Sequence, residues 1–468
     1  MMLLALGGAF TVVISLGGFL HLSNKYGNRM IKVSILLIAI LIALSTAISG
    51  RDLSHVGESI TNLYGEDAGG GAMVTKALTW TIVLMLIGVL LDRLIRFRFS
   101  QNPVKINYGW IFVFLIFALS NGVISSFFGT YPSFSPGLLY PLFFLLVLSV
   151  DQSWDLKDLI TSIKTGLVII FLFGFALAAV KPSLVFEGNA AGSFSILPFR
   201  YWGATPHANA AGSIAVLYLF LEVLSPTRKN IFRFIGISAA IITIILSQSK
   251  TALIGFVFCL GCIWLVPSTV NLEADTKNNN IKTTLKLLSI LLIPIVIYII
   301  ISIGSHDVNI DRIFGSDTGK SVTTLTGRTR IWEVALREWE NNQIFGYGPN
   351  LFNTEHRMRA GMPFAFHAHN QFIQSLAQSG LIGLAGLLLL LISLSLKLIS
   401  RTIATRGISL ALLIFLFIRC ITEVPLRSGN MISGEYIYLL AIVAIAMSSH
   451  SSLIALCEKD ANTRRSIA

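Results

Sequence analysis

Apolar stretches recur from one end of the chain to the other, near residues 2–20, 33–49, 77–91, 108–125, 136–150, 159–180, 207–224, 234–248, 251–268, 287–304, 374–396, 407–422 and 434–448. Most approach or exceed the ~20 residues that cross a bilayer as a helix. The pattern predicts an all-α polytopic membrane protein with about 12–13 transmembrane helices. Pro132, Pro136 and Pro141 break one region and boundaries slip by a few residues, so the count can move by one. The first run, starting at Met1, lacks a basic leader region and a small-residue cleavage site and is read as a membrane segment, not as a removed signal peptide. No internal repeat is visible.

One interruption differs in kind. Residues 305–373 form a long polar stretch, whereas the other loops are short. The expected organisation is therefore a helix bundle over 1–304, a large helical loop with catalytic elements over 305–373, and carboxyl-terminal helices with a cytoplasmic tail over 374–468. Function is sought first in the loop. Thr326 is the expected N-cap of a helix over 327–341, in which Trp332, Ala335, Leu336 and Trp339 share one face and Arg330, Glu333 and Arg337 are spaced to pair along another. A tight turn, Gly346-Tyr347-Gly348-Pro349-Asn350, follows. A second polar segment then runs into His367-Ala368-His369-Asn370, just before the next membrane helix, which puts His369 at headgroup level.

Composition narrows the class. Hydrophobic residues make up 54% of the 468 and charged residues 12%, which excludes a soluble enzyme, a disordered chain and a secreted disulfide scaffold. A net charge of +12 would raise nucleic acid in a soluble domain, but here it reports topology and no nucleic-acid partner is expected. With loops assigned alternately to two sides, one set (25–32, 93–105, 157, 228–233, 277–286, 397–406) holds 17 Lys and Arg, and the other short loops (51–76, 126–135, 181–206, 247–250, 423–433) hold six. The first set is cytoplasmic by the positive-inside rule, and so is the end of the chain with Arg464 and Arg465. Of the four cysteines, Cys259 and Cys262 lie inside an apolar run and are read as packing.

Four polar or basic clusters then face the non-cytoplasmic side: Arg200 with His207 and Asn209, Lys250, Arg328 with Arg330, and His367 with His369 and Asn370. Each has a plain reading. Lys250, between two apolar segments, either snorkels or meets an anion. Arg328 alone is a solvated helix charge, since residues 305–373 balance seven basic with seven acidic side chains. His207 alone is a satisfied polar residue. Arg419, with Glu423 one turn later, reads as a structural tie near a helix end. A secondary transporter or lipid flippase remains a rival, although such proteins hold ionisable groups near the midplane.

The His367–His369 pair, at i, i+2, could ligate a metal with Asp307, Asp311 or Glu355. No cysteine is nearby and no second histidine cluster completes a set, so neither metal nor cofactor is expected. The competing use is proton transfer: a neutral imidazole accepts a hydroxyl proton near neutral pH. Beside fixed cations at a membrane surface, it suits a lipid diphosphate whose sugar is being transferred.

The order SQSKT, then TGRTRIW with FGYGPN, then HAHNQFIQSLAQSGLIG resembles the O-antigen ligase and O-antigen polymerase superfamily, with the specific match running from about residue 200 to 390. The resemblance implies a GT-C-like, metal-independent, inverting glycosyltransferase of the bacterial inner membrane, taking a glycan from undecaprenyl diphosphate on the periplasmic side. It implies His369 as base or acceptor-positioning residue, and Arg328, Lys250 and Arg200 as diphosphate contacts. Lys250 stands where many members have arginine, which keeps the charge but not the bidentate fork. His367, Asn370, Arg330, His207 and Asn209 are expected around the acceptor or behind these groups. The acceptor would be a growing glycan, as in polymerases, or lipid A core, as in ligases. The match slightly favours polymerisation. Other polysaccharide assembly proteins are the implied partners.

Overall fold

A computed structural model describes residues 2–54, 69–99, 106–150, 153–188, 197–266, 324–362, 365–427, 429 and 431–456. Every apolar segment of the sequence within that range is a helix. They are Met2–Tyr26, Arg29–Ala47, Gly69–Phe99, Tyr108–Phe128, Pro136–Val150, Leu156–Val180, Ala208–Leu224, Asn230–Ser247, Lys250–Leu265, Gln371–Ser400, Ile408–Thr422 and Gly434–Met447. The expected segment 287–304 lies outside the described residues, as do Asp307 and Asp311. Six of the helices have both the length and the apolarity to cross a membrane, and four apolar helices are shorter. The protein is an all-α, multi-pass membrane protein; among the described residues the one sheet is a two-residue ladder pairing Phe186 with Tyr201 and Glu187 with Arg200.

Without a hydrophobic drive between helices in lipid, close packing relies on small residues and interhelical hydrogen bonds. Gly386 of the Gln371–Ser400 helix lies against Ser120, so close that a Cβ there would fall 1.9 Å from its Oγ. At that level the Tyr108–Phe128 helix widens into a π-turn over Leu119–Val123. The turn aims Asn121 across the crossing, where Nδ2 donates to the Gly383 carbonyl at 2.9 Å and Oδ1 accepts from Ser375 at 2.7 Å. Cys259 and Cys262 are buried, and Cys259 Sγ donates to the Ala411 carbonyl at 3.1 Å, so both act as packing residues.

The loops sort onto two faces as the charge alternation predicts. Buried Arg51 donates to the carbonyls of Leu184, Gly203 and Thr205 at 2.6–2.8 Å. Thr130 and Tyr131 donate their amides to Gly346 and Tyr347, Gln248 reaches Leu197 and Phe199, and Glu423 reaches Asn209 and His369. One face therefore gathers the loops poor in Lys and Arg. The opposite face joins Asn28 to Ser153 and Lys32 to Asp158.

The polar loop has a hydrophobic core of its own, with Ile331, Ala335, Tyr347, Leu351, Phe352, Met362, Ala365, Ala368 and Ala377. Its helix runs Thr324–Glu340, so Thr326 lies inside it and does not cap it. The buried line is Ile331 and Ala335 flanked by Trp332 and Val334, and Leu336 stands outside that core. Arg330, Glu333 and Arg337 form no ion pair with one another; Arg330 lies instead beside Gly361. The 346–348 turn fits into a break in the Gln371–Ser400 helix at Gly380 (φ 65°, ψ −162°), a conformation essentially confined to glycine. Backbone amides cross both ways: Tyr347 and Gly348 donate to Ala377 and Gln378, while Leu381 and Ile382 donate to Gln343 and Ile344. The loop is thereby fastened to the membrane helix that follows His369.

Candidate active site

The HAHN segment is held from three sides. Asn370 caps the Gln371–Ser400 helix, its Oδ1 accepting from the amides of Phe372 (2.9 Å) and Ile373 (3.1 Å). The Ala368 carbonyl accepts from Trp332 Nε1 at 2.7 Å, and its amide donates to Gln374 Oε1 at 2.8 Å. Between these anchors His369 adopts φ 51°, a left-handed conformation that costs a non-glycine residue energy and turns the ring out of the helix. Its amide donates to His367 Nδ1 at 3.1 Å, and the two ring centroids lie 4.0 Å apart with the planes tilted by 52°.

His369 Nδ1 lies 3.0 Å from Glu423 Oε2. A neutral imidazole donates Nδ1–H to the carboxylate, leaving Nε2 with its lone pair outward. Buried Glu423 is the hub of the site. Asn209 Nδ2 donates to its Oε1 at 2.5 Å, Arg328 Nη2 lies 3.7 Å from that oxygen, and His367 Nε2 lies 3.8 Å from Oε2. Asn209 is in turn placed by His207, the N-cap of the Ala208–Leu224 helix, whose Nδ1 accepts the Asn209 amide at 3.1 Å. Arg200 stands one step back, donating to Asn209 Oδ1 at 3.1 Å.

Glu423 was not singled out as a site residue, and its pairing with Arg419 is corrected. Glu423 follows the last residue of the Ile408–Thr422 helix in an extended conformation (φ −148°, ψ −173°), which swings its side chain away from the turn below. Arg419 instead forms a two-pronged ion pair with Glu435 of the next helix. The structure thus brings together His369, His367, Arg328, Asn209, His207 and Arg200. It does not bring in Arg330. Lys250 is exposed at the start of the Lys250–Leu265 helix, and among the described residues no hydrogen bond or ion pair joins it to the Glu423 group.

The electrostatics follow from the packing. Burial alone would raise the Glu423 carboxyl, but the hydrogen bond from His369 and the charges of His369, His367 and His207 hold it below the ordinary carboxylate range. His367 is pushed well below the usual imidazole value by burial first and by His369 second. Burial lowers His207 to about 4 against the opposing pull of Glu423. Burial thus favours the uncharged form of His207 and His367, while His369 stays hydrogen-bonded to the Glu423 carboxyl group.

His367, His369 and Glu423 each offer one ligand atom within 4.8 Å of the others, so a divalent ion has three candidate ligands here. Among the described residues Glu423, and not Glu355, supplies the third. Two histidines and a glutamate also make a known catalytic zinc set. Against that use, both Glu423 oxygens already accept hydrogen bonds, from Asn209 and His369, and Arg328 adds a fixed positive charge beside them.

An exopolysaccharide production protein of Rhizobium meliloti (strain 1021), ExoQ, is 23% identical over 362 residues, which cover 72% of this chain and 76% of that protein. Residues 235–388, from the helix before SQSKT through Arg328 to His369 and the bent membrane helix, match the O-antigen ligase family, which bears out the resemblance to the O-antigen ligase and polymerase superfamily.

Proposed function

We propose that the protein is a glycosyltransferase that moves a glycan from undecaprenyl diphosphate to a sugar hydroxyl at the periplasmic face of the bacterial inner membrane. The observation that carries this reading is the hydrogen bond from His369 to buried Glu423, a base and its orienting carboxylate at the membrane mouth. Nε2 of His369 takes the proton from the acceptor hydroxyl as its oxygen attacks the anomeric carbon. The bond from that carbon to the diphosphate oxygen breaks, and the electron pair leaves with the diphosphate, inverting the centre. Arg328 offsets the developing negative charge. Diphosphate is a good leaving group, so the reaction needs no metal.

Lys250 acts in this reading as a headgroup-level cation that draws the donor in, and Arg200 as the support of Asn209. Similarity to an exopolysaccharide production protein favours the joining of repeat units. The family description favours ligation to lipid A core. The test is purified protein with a defined undecaprenyl-diphosphate glycan and both acceptors. Wild-type protein should transfer glycan and His369→Ala should not, while folding normally. Transport of the lipid without transfer would favour the flippase rival.

A further inference from the structure

The Gln371–Ser400 helix measures the depth of its own break. From Leu381 to Ser400 it rises roughly 28 Å at ~1.5 Å per residue, close to the ~30 Å of a bilayer hydrocarbon core. Its exposed face over that length is apolar, with Leu381, Leu388, Ile392 and Leu396 at helical spacing, and Lys397, Arg401 and Arg406 mark its far end. The Tyr108–Phe128 helix gives the same reading. It rises roughly 30 Å, and its exposed stripe runs through Phe112 and Leu119 to Phe127 and Phe128. Gly380 and Phe128 therefore both stand at one edge of the hydrocarbon, on the side of the histidine site.

The turn at 342–345 lies at this level. Asn342 Nδ2 donates to the Phe128 carbonyl at 2.9 Å, and the Phe345 and Phe128 ring centroids lie 5.3 Å apart. Ile344 is 54% exposed and takes no part in the hydrophobic core of the loop. Its neighbours Phe127, Phe128 and Leu381 are exposed as well. Backbone that approaches hydrocarbon must have its polar groups occupied, and this turn meets that demand. The carbonyls of Asn342, Gln343 and Ile344 accept from the amides of Gly346, Leu381 and Ile382, and the Phe345 amide donates to Asn342 Oδ1 at 3.2 Å. Trp339 Nε1 donates to the Gln343 carbonyl at 2.9 Å, a half-buried indole of the kind that gathers at membrane interfaces.

We infer that residues 342–345 are a membrane anchor: the turn dips to the edge of the bilayer, and Ile344 inserts among the lipid chains beside Phe127, Phe128 and Leu381. Lipid is the occupant because the patch begins where two lipid-facing stripes end. The anchor directly follows the Thr324–Glu340 helix, and Trp332 of that helix holds the Ala368 carbonyl. The bilayer surface thus fixes the height of the helix and, through it, of His369. The inference stands whatever the site transfers.

The test is a depth measurement on the full-length protein in proteoliposomes of phosphatidylethanolamine and phosphatidylglycerol. The native cysteines are changed to alanine and a nitroxide is attached at Ile344→Cys. Collision of the label with oxygen should exceed collision with a water-soluble nickel chelate, as at the membrane control Leu388→Cys. The reverse should hold at Glu333→Cys, on the exposed side of the Thr324–Glu340 helix. A nickel-dominated signal at Ile344→Cys would overturn the anchor by placing the turn in water. Weak collision with both reagents would also overturn it, by showing the patch covered by a second copy of the chain. Where the cysteine-free protein fails to fold, the photoreactive variant Ile344→p-benzoylphenylalanine in the native sequence decides. Adducts to phospholipid support the anchor. Adducts to a second copy alone, or none at 344 while the same probe at 388 gives them, overturn it.

Discussion

Replacing Glu423 with glutamine changes one oxygen to an NH2 group and leaves the shape of the site in place. Two effects follow for His369. The first is loss of a charge-assisted hydrogen bond of about 1.5–3 kcal/mol, which at about 1.4 kcal/mol per factor of ten corresponds to roughly tenfold to a hundredfold in rate. The second is the tautomer. With Asn209 Nδ2 donating to Oε1 at 2.5 Å, the glutamine carbonyl is held toward Asn209 and its NH2 faces His369 Nδ1. That nitrogen must then be the acceptor, and the ring proton moves to Nε2, where the lone pair is needed. The corresponding Asp→Asn change in a Ser-His-Asp triad lowers kcat about 10,000-fold with geometry intact. Glu423→Gln should therefore reduce kcat about 100-fold to 10,000-fold, with a much smaller change in donor KM. The assay is glycan transfer from undecaprenyl diphosphate in proteoliposomes, with folding checked by thermal melting. A glutamine variant that is folded and keeps more than roughly half of wild-type kcat would refute the orienting role.

Activity should survive a strong chelator; loss in EDTA with recovery on added zinc or magnesium would show that His367, His369 and Glu423 hold a metal. Arg328→Ala should impair donor use more than Lys250→Ala, and Lys250→Arg should be active, as judged from donor KM; a larger loss for Lys250→Ala would place that lysine on the diphosphate. Stability should fall on acidification in two steps. His207 and His367 have folded-state values below the unfolded ~6.5, so the unfolded chain binds more protons as pH drops through that value, by up to about 1.4 kcal/mol per pH unit for each group. Glu423, also depressed, adds its share below about pH 4.5. Melting temperatures across pH 4–8 test this, and a His207→Asn variant that keeps the full wild-type slope between pH 6.5 and 5 would exclude His207 as a source.

The membrane helices were legible because each is a long apolar run, a signal that local packing cannot reverse. His369, Asn370 and Arg328 were legible because their motifs are contiguous. Glu423 was misassigned because i, i+4 spacing points to Arg419 only while the helix continues. It ends at Thr422, and the extended backbone at Glu423 sends the carboxylate 54 residues back along the chain to His369.

The break at Gly380 also bears on how the protein is made. A membrane helix satisfies its backbone groups internally because lipid offers no substitute. The Gln371–Ser400 helix does not do so where it is interrupted, since the amides of Leu381 and Ile382 and the carbonyls of Ala377 and Gln378 find their partners in residues 343–348. Those residues precede the helix in the chain and are synthesised first. The finished bend thus exists only after the loop has folded back onto the helix, and an empty socket would leave four polar backbone groups exposed. Membrane insertion of this segment and assembly of the catalytic loop are consequently one event. A chain shortened through the 346–348 turn should be cleared by quality-control proteolysis as a misassembled membrane protein, not accumulate as an inactive enzyme.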